Sequence, residues 1–298
     1  GPARELPPIP ARPTTAKLAL DARNAEVPPI KPLRPPTGAP TVVLVLIDAM
    51  GFGAPSVTGG PRNMPAMQKI HDDGLLYNRF HTTALCSPTR QALLTGRNHH
   101  SAGMGSVAEV ATGAPGNDSV RPNTVATVAE MLRLNGYNTG AVGKIHQTPT
   151  WEVSISGPFD RWPTGDGFEK FYGFVGGETN QWAPTLFLGT SPVEPPGTAE
   201  DGYHISEDMV DKAIAWIRGL HTMTPDKPFF LYCSFGATHA PHHVAPEWID
   251  KYKGKFDKGW DAVREETLAN MKVKGIVPGD AELTGRPEGV EAWEDLNE

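Results

Sequence analysis

A chain of 298 residues, 39% of them hydrophobic, has ample material for one large α/β domain or two ordinary ones. A formal net charge of -7 argues against a nucleic-acid partner, which needs a basic surface, so any anionic substrate must be held by local positive groups. Only Cys86 and Cys233 are present, which excludes a disulfide framework and fits a reducing compartment or a bacterial cytoplasm or periplasm. No membrane span or signal peptide is expected, because no apolar run is long enough.

Residues 1–40 hold 11 of the 30 prolines, in groups such as Pro7-Pro8, Pro28-Pro29 and Pro35-Pro36, and so predict a Pro-rich extended arm before a domain over 41–298. Thr41 to Ile47 is an unbroken apolar run, expected as a strand buried on both faces in the middle of a parallel sheet. Asp48 then emerges at its carboxyl end, where open α/β sheets bind ligands. Pro65 to Asp73 reads as a short helix stopped by Gly74, and Leu75 to Phe80 as a strand. Asn123 or Thr124 is expected to cap a helix through Val128, Met131 and Leu132 that closes at Gly136.

Tyr137 to Val142 is the next strand, followed by Gly143, Lys144, Ile145 and His146. Residues 147–203 are rich in Gly, Pro and Trp without a sustained period, and predict a long active-site loop region. Its Trp151, Trp162 and Trp182 could wall an aryl or sugar substrate, or pin the loop to the core, which is the expected reading. Ser206 opens a helix with Met209, Ile214 and Ile217 at helical spacing, ending near Gly219. Phe229 to Phe235 is another buried strand, and Thr238, His239, Pro241, His242 and His243 follow it. Strands alternating with helices predict a doubly wound, mostly parallel sheet.

Cys86 sits at the mouth of a predicted helix, with Pro88 expected at its first position and Arg90 one turn on. Free backbone donors and positive charge there would lower a thiol's pKa and suit an anion. A thiol-phosphatase loop needs five residues between Cys and Arg, and only three separate these two. The pattern instead resembles the type I sulfatase signature of the alkaline phosphatase superfamily, matched at Cys86, Pro88, Arg90, Leu94, Thr95, Gly96 and Arg97.

That resemblance extends over residues 41 to 250 and implies an alkaline phosphatase-like fold, with this chain as its N-terminal portion, and an arylsulfatase-like sulfuric ester hydrolase. It implies that a formylglycine-generating enzyme converts Cys86 to formylglycine, whose hydrate is nucleophile and metal ligand. Arg90 then steadies the hydrate, Lys144 contacts it and the sulfate, His146 is the base, and His239 lies beside the leaving group. Asp48 matches the first metal-binding acid, for Ca2+ or alternatively Mg2+. Ala49 stands where many relatives carry a second acid, which keeps phosphonate or phosphate diesters as alternative substrates.

No further strand ending in a metal-binding motif is found in 251–298, which reads as polar helix and loop from Trp260 onward. A missing C-terminal segment or a second chain is therefore expected to complete the site. Without it, the chain is expected to be inactive or nearly so, with apolar sheet edge exposed around Val43 and Leu231. His99, His100, His242 and His243 lack the helical spacing of a zinc site and are expected to be solvated loop residues.

Overall fold

The computed structural model describes residues 15–296, so the part of the expected arm before residue 15 lies outside the described residues. The chain divides into two units, Gly1–Arg34 and Pro35–Glu298. In the first, residues 15–34 form one 3-10 turn at Ala22–Asn24 and one isolated antiparallel bridge, from Lys17 to Glu26. The side chains of that bridge pair at 2.7 Å.

The second unit is built on β1 (Val42–Ile47), α1 (Pro65–Asp73), α2 (Cys86–Thr95), α3 (Val128–Leu134), β2 (Asn138–Lys144), β3 (Lys170–Phe174), β4 (Leu186–Leu188), β5 (Ser191–Val193), α4 (Ile205–Met223), β6 (Phe229–Phe235), α5 (Pro246–Asp250) and α6 (Gly259–Val273). The strands form one sheet in the order β1-β6-β2-β3-β4-β5. The first four in that order are mutually parallel, and β4 and β5 continue as an antiparallel edge.

Strand residues alternate between the two faces, so each face needs its own cover. Phe230 and Tyr232 of β6, with Ala141 of β2 and Phe171 of β3, pack with Leu94 of α2 and Ala129 of α3. Leu231 and Cys233, with Val142 and Tyr172, pack instead with Ile205, Met209 and Ala213 of α4. Helices on both faces of a mostly parallel sheet make the doubly wound architecture expected from the sequence. No helix among the described residues is long and apolar enough to cross a membrane.

Several local expectations are corrected. β1 is not central but lies at the sheet edge, with Val43 51% and Val45 54% exposed. Its unbroken apolar run is satisfied on the β6 side only. Leu231, expected at the exposed edge, is buried, because β6 lies between β1 and β2. Leu75 to Phe80 forms no strand: it pairs with no strand among the described residues, and Asn78 instead donates a hydrogen bond to the Ile276 carbonyl at 3.2 Å.

Thr127, not Asn123 or Thr124, caps α3, because its hydroxyl accepts from the Glu130 amide at 3.1 Å. α4 starts at Ile205 behind a His204 cap and runs past Gly219 to Met223, since one helical glycine costs only about 1 kcal/mol. The stretch 147–203, expected as loop, contains β3, β4 and β5. α2 begins at Cys86 itself, which puts Pro88 at the third helical residue and not the first.

Gly143 is the tightest point of the sheet beside the site. It has φ +91, and a Cβ there would lie 1.9 Å from the Ser234 carbonyl oxygen. Gly143→Ala is expected to lower stability by about 3 kcal/mol, combining a left-handed backbone with overpacking against a neighbouring strand. Urea unfolding checks it, and a loss below about 1 kcal/mol would show that the strands can separate there at little cost.

Candidate active site

Because β1, β6 and β2 run parallel, their carboxyl ends meet. Ile47 pairs with Phe235 and Gly143 with Ser234, so Asp48, Lys144 and the loop after β6 emerge side by side. The Asp48 amide donates to the Ala237 carbonyl at 3.0 Å, and the Asp48 carbonyl accepts from the Thr238 amide at 2.7 Å. The sheet thereby fixes the acid by its backbone before any side chain is considered.

Asp48 is buried, and its Oδ2 accepts from the Lys144 ammonium while its Oδ1 lies 3.3 Å from the Arg90 guanidinium. Burial pushes this carboxyl up, but the Lys144 hydrogen bond and the Arg90 charge outweigh it and hold it below its ordinary range. Lys144 is 0% exposed and Arg90 1%. Arg90 reaches the site from α2, one turn after Cys86, and also donates to the Lys144 carbonyl at 3.0 Å, the Tyr232 hydroxyl at 3.2 Å and the Ser234 hydroxyl. Two buried cations thus share one carboxylate.

Cys86 is the first residue of α2, partly exposed, and its Sγ lies 3.0 Å from His146 Nδ1. His146 is buried, takes a positive φ of 54, and is tied by its amide to the Val175 carbonyl at 3.2 Å. Burial first, then the Lys144 charge, hold its pKa below the ordinary imidazole value, against the opposing pull of Glu109. Glu109 itself comes from a 3-10 turn, Ala108–Val110, and sequence reasoning missed it. No motif flags it, since an isolated acid in a polar loop looks solvated. Ser234 and Tyr232, the other partners of Arg90, were read only as strand residues.

Asp48, Arg90 and Lys144 are therefore joined by direct contacts, and Cys86 by another to His146, whereas His239 makes none with any of them. His239 follows Thr238, donates from Nδ1 to the Ala240 carbonyl at 2.7 Å, and has Glu178 at 3.7 Å. It lines a cavity of about 740 Å³ together with Trp182, His204, His242, His243 and Trp248. Trp162, by contrast, is fully buried against Phe159 and Phe187 and pins its loop to the core, while Trp151 is 59% exposed. The rings of His99 and His100 lie against each other at 4.4 Å.

The donor set does not amount to a calcium cage. No group of three or more His, Cys, Asp or Glu side chains among the described residues is placed to hold a metal ion, and both Asp48 oxygens face cations. Calcium takes six to eight oxygens, so these residues alone do not fit it. Arg90 stands at i+4 from Cys86 on the same helix face, and its buried Nε has no partner among the described residues.

The family profile described as Sulfatase matches residues 40–286. The arylsulfatase of Klebsiella aerogenes is 29% identical over 255 residues, covering 82% of this chain and 52% of the relative. The N-acetylgalactosamine-6-sulfatase of Rattus norvegicus is 29% identical over 251 residues, covering 76% and 44%. The chain thus spans about half the length of the curated relatives it matches. Among solved structures, Ps i-CgsB in complex with k-i-k-neocarrahexaose superposes with a TM-score of 0.56 at 21% identity, over 80% of this chain and 53% of that one. BT4656 in complex with D-glucosamine-2-N,6-O-disulfate superposes with a TM-score of 0.54 at 21% identity, over 73% and 38%. These likenesses bear on the fold alone, and agree with the alkaline phosphatase-like sheet; it is the profile match over most of the chain, on a site holding the signature residues Cys86 and Arg90, that places this chain in the sulfatase family.

Proposed function

We propose that this chain carries the sulfate-binding and nucleophile-bearing part of a sulfatase that hydrolyses sulfate esters, with Cys86 converted to formylglycine by a formylglycine-generating enzyme. The observation that carries the reading is the buried pair Lys144 and Arg90, which share only Asp48 beside the Cys86–His146 contact. Buried charge is stable only when compensated, and a bound sulfate oxygen supplies the missing negative charge.

Formylglycine supplies a hydrated aldehyde whose hydroxyl is the nucleophile toward sulfur and whose second hydroxyl allows release of sulfate. The residues of this chain do the rest. Lys144 and Arg90 neutralise charge on the sulfate and on residue 86. His146 presents Nδ1 at residue 86, where it takes up a proton during release. His239 lines the 740 Å³ cavity, and we assign it to the departing alcohol or phenol. A divalent metal would need oxygens beyond Asp48 and residue 86, so we propose that a further segment or a second chain provides them.

Coexpression with a formylglycine-generating enzyme is expected to convert Cys86 to the aldehyde or its hydrate, read by mass spectrometry of the peptide. Side-by-side assays are then expected to show turnover of an aryl sulfate above that of an aryl phosphonate once the remaining ligands are supplied, and little turnover by the 298 residues alone. Free thiol at Cys86 under those conditions would remove the mechanism. A preference for the phosphonate would move the substrate to the alternative class, which Ala49 in place of a second acid keeps in play.

A further inference from the structure

His146 meets a second partner that the sulfatase reading does not use. Its Nε2 lies 2.8 and 2.9 Å from the two carboxylate oxygens of Glu109, while its Nδ1 lies 3.0 Å from Cys86 Sγ. A carboxylate can only accept, so the bond to Glu109 requires the proton on Nε2. Neutral imidazole carries one N–H, and Nδ1 is then left as a lone pair aimed at residue 86.

Other contacts hold this arrangement in place. The His146 backbone is anchored through Val175, and the loop after β3 closes over the pair. A Cβ on Gly177 would lie 2.8 Å from His146 Nε2 and 3.0 Å from a Glu109 oxygen, so the main chain packs directly on the Glu109–His146 bond. The His146 side chain is 5% exposed and that of Glu109 48%. The acid thus reaches the buried ring from a half-open position that contributes little to the core.

We propose that Glu109 is a positioning residue, which holds His146 in the Nε2-protonated tautomer so that Nδ1 can accept a proton from the side chain at position 86. This rests on the reading of His146 as the base. Without the carboxylate, Nε2 loses its acceptor, and the ring can take its proton on Nδ1, where it would face residue 86 as a donor and could not accept. Glu109 also stabilises the imidazolium that forms once Nδ1 has taken the proton, offsetting the repulsion from Lys144.

The test uses ¹⁵N-labelled 298-residue chain, with the His146 signals assigned by their loss in His146→Gln. Long-range proton–nitrogen spectra are expected to show Nε2 protonated and Nδ1 bare. Glu109→Ala should populate the Nδ1-protonated form, and Glu109→Gln, whose amide oxygen still accepts, should restore the original tautomer. In the formylglycine-bearing, metal-complete enzyme, Glu109→Ala should lower kcat by roughly tenfold to a hundredfold with KM nearly unchanged. An unchanged His146 spectrum in Glu109→Ala, or unchanged kcat there while His146→Ala is impaired, would overturn the proposal. Unchanged turnover in His146→Ala itself would instead sink the assignment of the base, whatever the tautomer does.

Discussion

Asp48→Asn is expected to lower the stability of the chain by about 3–5 kcal/mol, because it removes the only carboxylate that contacts both Lys144 and Arg90 among the described residues while keeping the side-chain shape. Both cations are essentially inaccessible to water, so salt cannot screen the loss as it would at a surface. Urea unfolding with native-state controls gives the number. Adding Lys144→Met to Asp48→Asn should recover part of it, since one of the two unpaired charges is then gone. A drop of less than about 1 kcal/mol in the single variant would mean that water or a bound anion already reaches the cations.

The same pair sets a pH limit. The folded-state pKa of Asp48 is depressed from its ordinary value of 3.8, so its stabilising contribution is fully present above that value and is lost as pH falls through the lower folded-state pKa. The acid limb of unfolding should therefore be shallower in Asp48→Asn than in the parent.

What the sequence could show depended on the kind of signal each segment carried. α1 was legible because Pro65 opens it and Gly74 closes it, and β6 because seven apolar or small residues run between polar turns. β3, β4 and β5 were not: they are three to five residues long, and Gly173 and Pro192 break any period. β1 shows a different limit. Its apolar run reports what the strand can bury, while its neighbour on one side is set by topology. At the site, Asp48, Cys86, Arg90, Lys144 and His146 were legible because a spaced motif and strand ends select them. Glu109 was not, because its contact is made only when the fold brings residue 109 against residue 146, 37 positions away.

In the enzyme assembled with its metal and its formylglycine, His146→Ala should release about one equivalent of alcohol in a burst and then turn over roughly 10²- to 10⁴-fold more slowly, the range expected for loss of a general base. The split follows from where His146 stands. Its Nδ1 faces residue 86 and makes no contact with Lys144, Arg90 or Asp48, so the cations proposed to capture sulfate remain in place. On the proposed mechanism sulfate can therefore still be taken from the ester, whereas its release requires a proton to be removed at residue 86, and no other described base makes contact there. Lys144→Ala should act in the opposite sense, weakening capture and raising KM, because it removes a cation while leaving the His146 contact to residue 86 in place. Stopped-flow detection of a released phenol separates the two. A His146→Ala enzyme that shows no burst, or one whose steady-state rate matches the parent, would place the proton acceptor elsewhere and leave His146 as a structural neighbour of residue 86.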